Sequence, residues 1–269
     1  MKTERAPNSM ALIVMNIVAA VGTVIYNGLS QAIPIGISTN AEIANRLPIY
    51  FFPANFTFSI WGIIFLALIA FAIYQALPSQ RSNPFVRAVG PWLILSSLGN
   101  IGWLLVFQYE QFALSMIPIV FLLVTLGIAY VRIRQVQAVP TTADRVLIFA
   151  PLSIYFAWAA VATVANTTYF LYTASGLTPD TNWLGIAQPV WGAIMLVVAG
   201  VITTTVAVIH RDLVYMAVVV WAFGGIVARY PQVMEVALPA GGMAVLGVLA
   251  VLATMILWRD QRTMPRMAA

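Results

Sequence analysis

The chain has 269 residues, of which 62% are apolar and only 8% charged, far below the roughly 25% charged residues of an average soluble domain. No cysteine and a single histidine are present, which excludes disulfides, thiolate nucleophiles and metal sites built from thiolates or several imidazoles, so neither a metal nor catalytic residues are expected. The formal charge of +5 is scattered over short connections and forms no stripe, which argues against a nucleic-acid partner.

A membrane span requires about 20 mostly apolar residues, and such runs follow one another at 10–29, 55–77, 89–108, 111–133, 147–172, 183–208, 213–230 and 237–258. The predicted fold class is therefore all-α: a polytopic integral membrane bundle of eight transmembrane helices. The first run follows the basic start MKTER, and Ser30-Gln31-Ala32 loosely resembles a signal-cleavage site. The run is nevertheless long for a signal peptide, and Asn16, Tyr26 and Asn27 look placed to face partner helices, so it reads as a retained span. Residues 30–54 form the longest connection, carrying Pro34, Pro48, Pro53, Glu42, Arg46, Tyr50, Phe51 and Phe52. A loop of this length often has a role, the alternative being a tether with aromatic side chains at headgroup level.

Only Gln108, Tyr109, Glu110 and Gln111 interrupt the third and fourth runs, which predicts a tight hairpin. Pro118, Pro151, Pro189 and Pro239 are expected to kink or start helices packed against neighbours. The last three runs carry Trp183, Gln188, Trp191 and Trp221 and small residues such as Ala240-Gly241-Gly242 and Gly247. They show no duplication of the first four, which disfavours an inverted-repeat transporter.

Orientation follows from the basic residues, which gather on the cytoplasmic side of membrane proteins. With the N-terminus inside, Lys2, Arg5, Arg81, Arg87, Arg132, Arg134, Arg145, Arg211, Arg259, Arg262 and Arg266 all face the cytoplasm. Only Arg46 and Arg229 fall outside. An even number of spans returns the C-terminus to the same side, and the bias suits a bacterial inner (plasma) membrane.

Ionisable residues deep in a membrane are costly and usually functional, yet Arg145, His210, Arg211, Asp212, Arg229 and Glu235 all sit at or beyond span ends. This argues against a proton-coupled pump, an ion channel with charged rings and a paired-carboxylate hydrolase. What remains inside is aromatic and amide: Trp61, Asn100, Trp103, Trp158 and Asn166. Asn100 and Trp103 are three apart and share a helix face, and Trp158, Ala162 and Asn166 follow at fours as a second stripe. Counting about 1.5 Å per residue from the outer helix ends places Trp61, Trp103 and Asn166 together roughly 8–9 Å deep, with Trp158 about two turns deeper. The bland reading is interhelical hydrogen bonding by the amides and gap-filling by the indoles. The alternative is a ligand pocket open to the outer half of the bilayer, lined by π faces and a few polar groups.

The segments FTFSIWGIIF (Phe56–Phe65), GNIGWLLVF (Gly99–Phe107) and YFAWAAVATVAN (Tyr155–Asn166) resemble the second, third and fifth helices of the translocator protein family, also called tryptophan-rich sensory proteins. Ile60-Trp61, Asn100 with Trp103, and Ala157-Trp158 with Asn166 match that family's motifs in order and spacing, over roughly residues 10–172. The resemblance implies a five-helix bundle over 1–175 that binds hydrophobic planar molecules, notably porphyrins, with Trp61 and Trp158 flanking the ligand. Residues 176–269 would then be a three-helix transmembrane extension, covering a dimerising side of the bundle or adding a pocket wall through Trp191 and Trp221. Ser59, Leu104 and Leu105 stand where the family often has prolines, and no basic residue follows Tyr169 or Tyr172 to complete a sterol-type pattern.

The resulting expectation is a membrane sensor or carrier whose ligand-binding residues are Trp61, Asn100, Trp103, Trp158, Ala162 and Asn166. No cofactor is obligatory, the ligand being of porphyrin or haem type. The partners are the lipid bilayer and a small hydrophobic molecule, with a homodimer left open. A transporter of a neutral solute and a membrane enzyme modifying the porphyrin or a lipid are the competing classes, although nothing in the sequence supplies a general base.

Overall fold

The computed structural model describes residues 8–33, 35–47, 49–178 and 181–263, with side chains as far as Leu257. Lys2, Arg5 and Arg266 of the basic set, and Pro34 and Pro48 of the long loop, lie outside the described residues, as do the side chains of Arg259 and Arg262. The chain divides into two compact units: one of residues 1–49 and 58–179, the other of residues 50–57 and 180–269.

In the first unit α1 (Met10–Ala32) is followed by a short α2 (Asn40–Arg46), by the last two residues of a 3-10 turn (Asn55–Ser59) leading into α3 (Ile60–Ala76), and by α4 (Pro84–Val89), α5 (Trp92–Gln108) and α6 (Phe112–Arg134). A single turn α7 (Thr142–Asp144), a π-wound turn (Arg145–Phe149) and α8 (Ala150–Ala174) then run on as one helix of 33 residues. The wide turn lies directly before Pro151, whose missing N–H and bulky ring disturb the preceding turn of a regular helix. Pro118 lies inside α6, and Pro84 occupies the start of α4. The third and fourth runs are joined by a turn at Tyr109–Gln111 in which Glu110 takes φ 59°. A left-handed backbone is uncommon for a residue with a Cβ.

The second unit contains α9 (Gln188–His210), α10 (Leu213–Arg229) and α11 (Met234–Thr263). Pro189 falls in the first turn of α9, where it forfeits no hydrogen bond, and Pro239 lies within α11. Among the described residues six helical segments are long and apolar enough to cross a membrane, and α5 and α10 are shorter apolar helices. No strand is present among the described residues apart from an isolated bridge between Trp183 and Ile186. The protein is a polytopic helical membrane protein.

The long helices of the first unit close a ring: α1 packs on α3 and α5, α5 on α6, α6 on α8, and α8 on α3. Lipid tails are as apolar as leucine, so close backbone approach and polar contacts, more than hydrophobicity, hold such helices together. Gly99 supplies the approach between α5 and α6, since a Cβ there would lie 3.0 Å from the Leu122 Cα and backbone nitrogen. Gly127 of α6 likewise makes room for the Phe156 ring of α8, 3.3 Å from where its Cβ would stand.

In the second unit α11 packs on both α9 and α10. The segment Tyr50–Thr57, from the loop after the first span, is strapped to α10 by three bonds. Ala54 N donates to Gly225 O (2.9 Å), the Trp221 indole to Thr57 O (2.9 Å) and Arg229 to Pro53 O (3.2 Å). Gly225 leaves the space that Thr57 and Pro53 fill, and Gly192 does the same for Tyr50. Trp191 donates to Trp183 O at 2.9 Å, and their rings lie 4.7 Å apart. Trp191 and Trp221 therefore spend their N–H groups on structure within this unit.

Branching at Gly99 forces Leu122 backbone to move, so Gly99→Val should destabilise the protein by about 1–3 kcal/mol, the range for an overpacked core. Gly22→Ala, with nothing within 4 Å of the new methyl, should leave the thermal midpoint in detergent unchanged or slightly raised; equal midpoints for both variants would refute the tight α5–α6 crossing.

Candidate functional site

The turn Asn55–Ser59 delivers Phe58 and Trp61 to the start of α3, against the middle of the long α8. Trp61 stands edge-on to Trp158 (centroids 6.3 Å, planes at 86°) and to Tyr155 (6.2 Å, 73°), and it stacks on Phe65 one turn along (5.5 Å). Phe58 meets the other side of Trp158 at 6.1 Å and 90°. Edge-to-face contact pairs the positive rim of one ring with the negative face of the next and favours these angles over parallel stacking. Trp158 is 4% and Tyr155 1% exposed, whereas Trp61 is only half-buried. The Trp158 Nε1–H and the Tyr155 hydroxyl are both enclosed without a hydrogen-bond partner among the described residues. Two rings of this aromatic nest thus carry buried polar tips left unbonded, an arrangement that costs free energy until something bonds them.

Eight residues further along α8, about 12 Å at the helical rise, Asn166 forms a second and saturated centre. Its Oδ1 accepts from Trp103 Nε1 (3.2 Å) and from the Ser115 hydroxyl (3.2 Å), while its amide donates to Ser115 Oγ and Met116 Sδ, both at 3.0 Å. Trp103 also stacks on Phe107 (5.4 Å), which forms a ring cluster with Phe112 and Tyr169. Asn166 therefore ties α5, α6 and α8 together with every group in use.

Asn100 joins neither centre. Its Oδ1 accepts from Asn27 Nδ2 of α1 at 2.7 Å. Three residues leave a net offset of about 60° around a helix, and on α5 Asn100 bonds toward α1 while Trp103 bonds toward α8. Ala162 lies half-buried on α8 between Trp158 and Asn166. Of the six residues predicted from the sequence, Trp61 and Trp158 are thus brought together, Trp103 and Asn166 are brought together, and Asn100 stands apart. Trp61 is at the level of Trp158, not of Asn166 as counting from helix ends suggested. That count assumed that all outer ends are level, whereas the α7–α8 helix is longer than its neighbours. Sequence reasoning passed over Phe58, Tyr155 and Ser115. Phe58 and Tyr155 precede Trp61 and Trp158 by three residues each, an i, i+3 signal that was available.

The loop after α1 is clamped to the α5–α6 turn. Ile37 N and Ser38 N both donate to Gln108 O (2.8 and 3.2 Å), an approach that the absence of a side chain at Gly36 permits. Arg46, in the last turn of α2, pairs with Glu110 at 2.7 Å and donates to Ser38 Oγ at 2.6 Å, and Ser38 donates to Glu110 at 2.8 Å. Thr39 and Glu42 form a capping box that starts α2, and these bonds hold the Glu42 carboxyl below its ordinary range.

The hydrogen bond from Arg46 likewise holds the Glu110 carboxyl below the usual carboxylate range, against the smaller effect of burial. A depressed folded-state pKa stabilises fully above the unfolded value and is lost as pH falls through the folded one. Both partners are partly exposed, so the effect is modest. The hydrogen-exchange protection factors of residues 35–47, taken against the intrinsic exchange rate at each pH, should be high at neutral pH and fall below about pH 4.3, the ordinary glutamate value. Glu110→Gln should show low protection factors at both pH values, and a variant as protected as the wild type would remove the ion pair from the account.

The model of the TSPO-like protein family matches residues 13–258, a stretch reaching from the first turn of α1 into α11 and including Trp61, Trp103, Trp158 and Asn166. No curated protein and no solved structure matches the chain. With nearly its whole length covered by that one match, and with paired tryptophans on α3 and α8 inside a closed helix ring, the chain belongs to the TSPO-like protein family.

Proposed function

We propose that this protein binds a hydrophobic planar ligand of the porphyrin class between α3 and α8, acting as a membrane sensor or carrier. The observation that carries the reading is the nest of Phe58, Trp61, Tyr155 and Trp158, with an indole N–H and a phenol hydroxyl enclosed and unpartnered inside it. Family membership supports a sensing or binding role in general, and the porphyrin class comes from the resemblance of the tryptophan motifs. A planar aromatic ligand offers π faces to the indoles, and its polar substituents give Trp158 Nε1 and Tyr155 the partners they lack. Trp61 is half-buried and sits in the first turn of its helix, so rotation of its ring is the movement that admits the ligand. Asn166 and Trp103 serve this site by fixing α8 against α5 and α6.

Around this site the charge bias supports eight spans with both termini in the cytoplasm, in a bacterial inner membrane. A fluorescent protein fused after Ala269 should fluoresce in such cells, while alkaline phosphatase at the same point should stay inactive; the reverse pattern would invert the topology.

Titration of the purified protein with protoporphyrin IX, read by tryptophan quenching and the Soret band, should saturate. Trp61→Phe and Trp158→Phe should each weaken binding by about two- to tenfold, the range of one aromatic pair, while Trp191→Phe leaves it unchanged. Absence of saturable binding, or binding indifferent to both α3 and α8 substitutions, would defeat the proposal.

A further inference from the structure

The first helix is polar where it is buried and apolar where it is exposed. Its enclosed positions are Ile13, Asn16, Ala20, Thr23, Asn27 and Ser30, while Val14, Val18, Ile25 and Leu29 are 49–65% exposed. Facing it are Gln75 of α3 and Ser97, Asn100 and Gln108 of α5, each 3% exposed or less. Ser97 lies three residues before Asn100 and eleven before Gln108, on the face turned away from the Gly99 contact with α6.

Three rungs join the two sides. Asn16 donates to Gln75 Oε1 (3.4 Å) and to Gly90 O (3.1 Å), Asn27 to Asn100 Oδ1 (2.7 Å), and Gln108 to Ser30 O (3.2 Å). From Asn16 to Ser30 the seam extends about 21 Å, most of a hydrocarbon core roughly 30 Å thick. Along it Asn16 Oδ1, Gln75 Nε2, Ser97 Oγ, Asn100 Nδ2 and Gln108 Oε1 are enclosed without a hydrogen-bond partner among the described residues.

Such a seam is poorly satisfied when shut. Hydrogen bonds left unmade inside a protein are destabilising, and water, as both donor and acceptor, is the usual remedy for buried polar groups. The lipid-facing side of α1 is already apolar, so it stays against acyl chains when the helix is displaced, while the polar faces of the seam turn to the space opened between the helices. Hydrophobic association does not oppose the movement, because lipid is as apolar as the helix.

We propose that α1 has a second position, drawn away from α3 and α5, in which the seam takes up water or another small neutral hydrogen-bonding molecule. The seam is then a polar binding site running through most of the bilayer, independent of the aromatic nest between α3 and α8.

The absence of cysteine permits a direct test with single cysteines and a charged, membrane-impermeant methanethiosulfonate on the full chain in liposomes. Thiolates form and react only where water reaches them. Ser97→Cys should be modified several-fold faster than Ser115→Cys, an equally buried serine whose hydroxyl is paired with Asn166 and Phe112 O. Thr23→Cys, on the α1 side, provides a second reading of the seam should Ser97→Cys fail to fold. Converting the middle rung to Asn27→Leu/Asn100→Leu should abolish the difference. Modification of Ser97→Cys and Thr23→Cys no faster than Ser115→Cys, or labelling that persists in the apolar rung variant, would overturn the proposal.

Discussion

In the hydrocarbon of a bilayer no solvent is available for a free N–H or C=O, and each unsatisfied backbone group costs several kcal/mol. Everything else in this protein is arranged under that constraint. The apolar runs close their hydrogen bonds within themselves as helices, and irregular backbone is confined to connections, of which residues 35–47 are bonded to the α5–α6 turn and Tyr50–Thr57 to α10. Even the π-wound turn at Arg145–Phe149 keeps the helix unbroken ahead of Pro151. Once the backbone is satisfied, apolar side chains no longer distinguish inside from outside. The work of choosing neighbours passes to small residues and to amides.

Asparagine performs that work in two different ways. Asn166 has every hydrogen-bonding group occupied by Trp103, Ser115 and Met116, and it fixes three helices in one arrangement. Asn100 has its oxygen bonded to Asn27 and its amide nitrogen left enclosed. A saturated amide rigidifies; a half-satisfied one leaves its interface with something to gain by opening. The same contrast separates the Asn166 centre from the Trp61–Trp158 nest, where ring contacts are well made and the polar tips are not.

Charge is used sparingly and locally. Arg46 and Arg229 are both tied down: Arg46 to Glu110 and Ser38, Arg229 to Pro53 O. Each anchors a piece of the long loop after α1 to a helix end. The loop thus belongs to two compact units, its α2 portion to one and its Tyr50–Thr57 portion to the other, and the residues that follow lead directly into Trp61.

By itself the sequence determined what lipid dictates: a helical, multi-pass membrane protein, the position of each apolar run to within a few residues, the tight turn at Gln108–Gln111, and the tryptophan motifs that mark the family. These are properties of single segments, set by length, apolarity and i, i+3 or i, i+4 spacing. Only the tertiary structure decided which segments meet. It paired Trp61 with Trp158, separated Asn100 from Trp103, enlisted Phe58, Tyr155 and Ser115, and gave part of an N-terminal loop to α10. None of this is written in spacing, because the relative depth and rotation of two helices depend on how far each extends and where glycines such as Gly99 let backbones touch. In a solvent that rewards every apolar face equally, such contacts, and not hydrophobic pattern, select the neighbour.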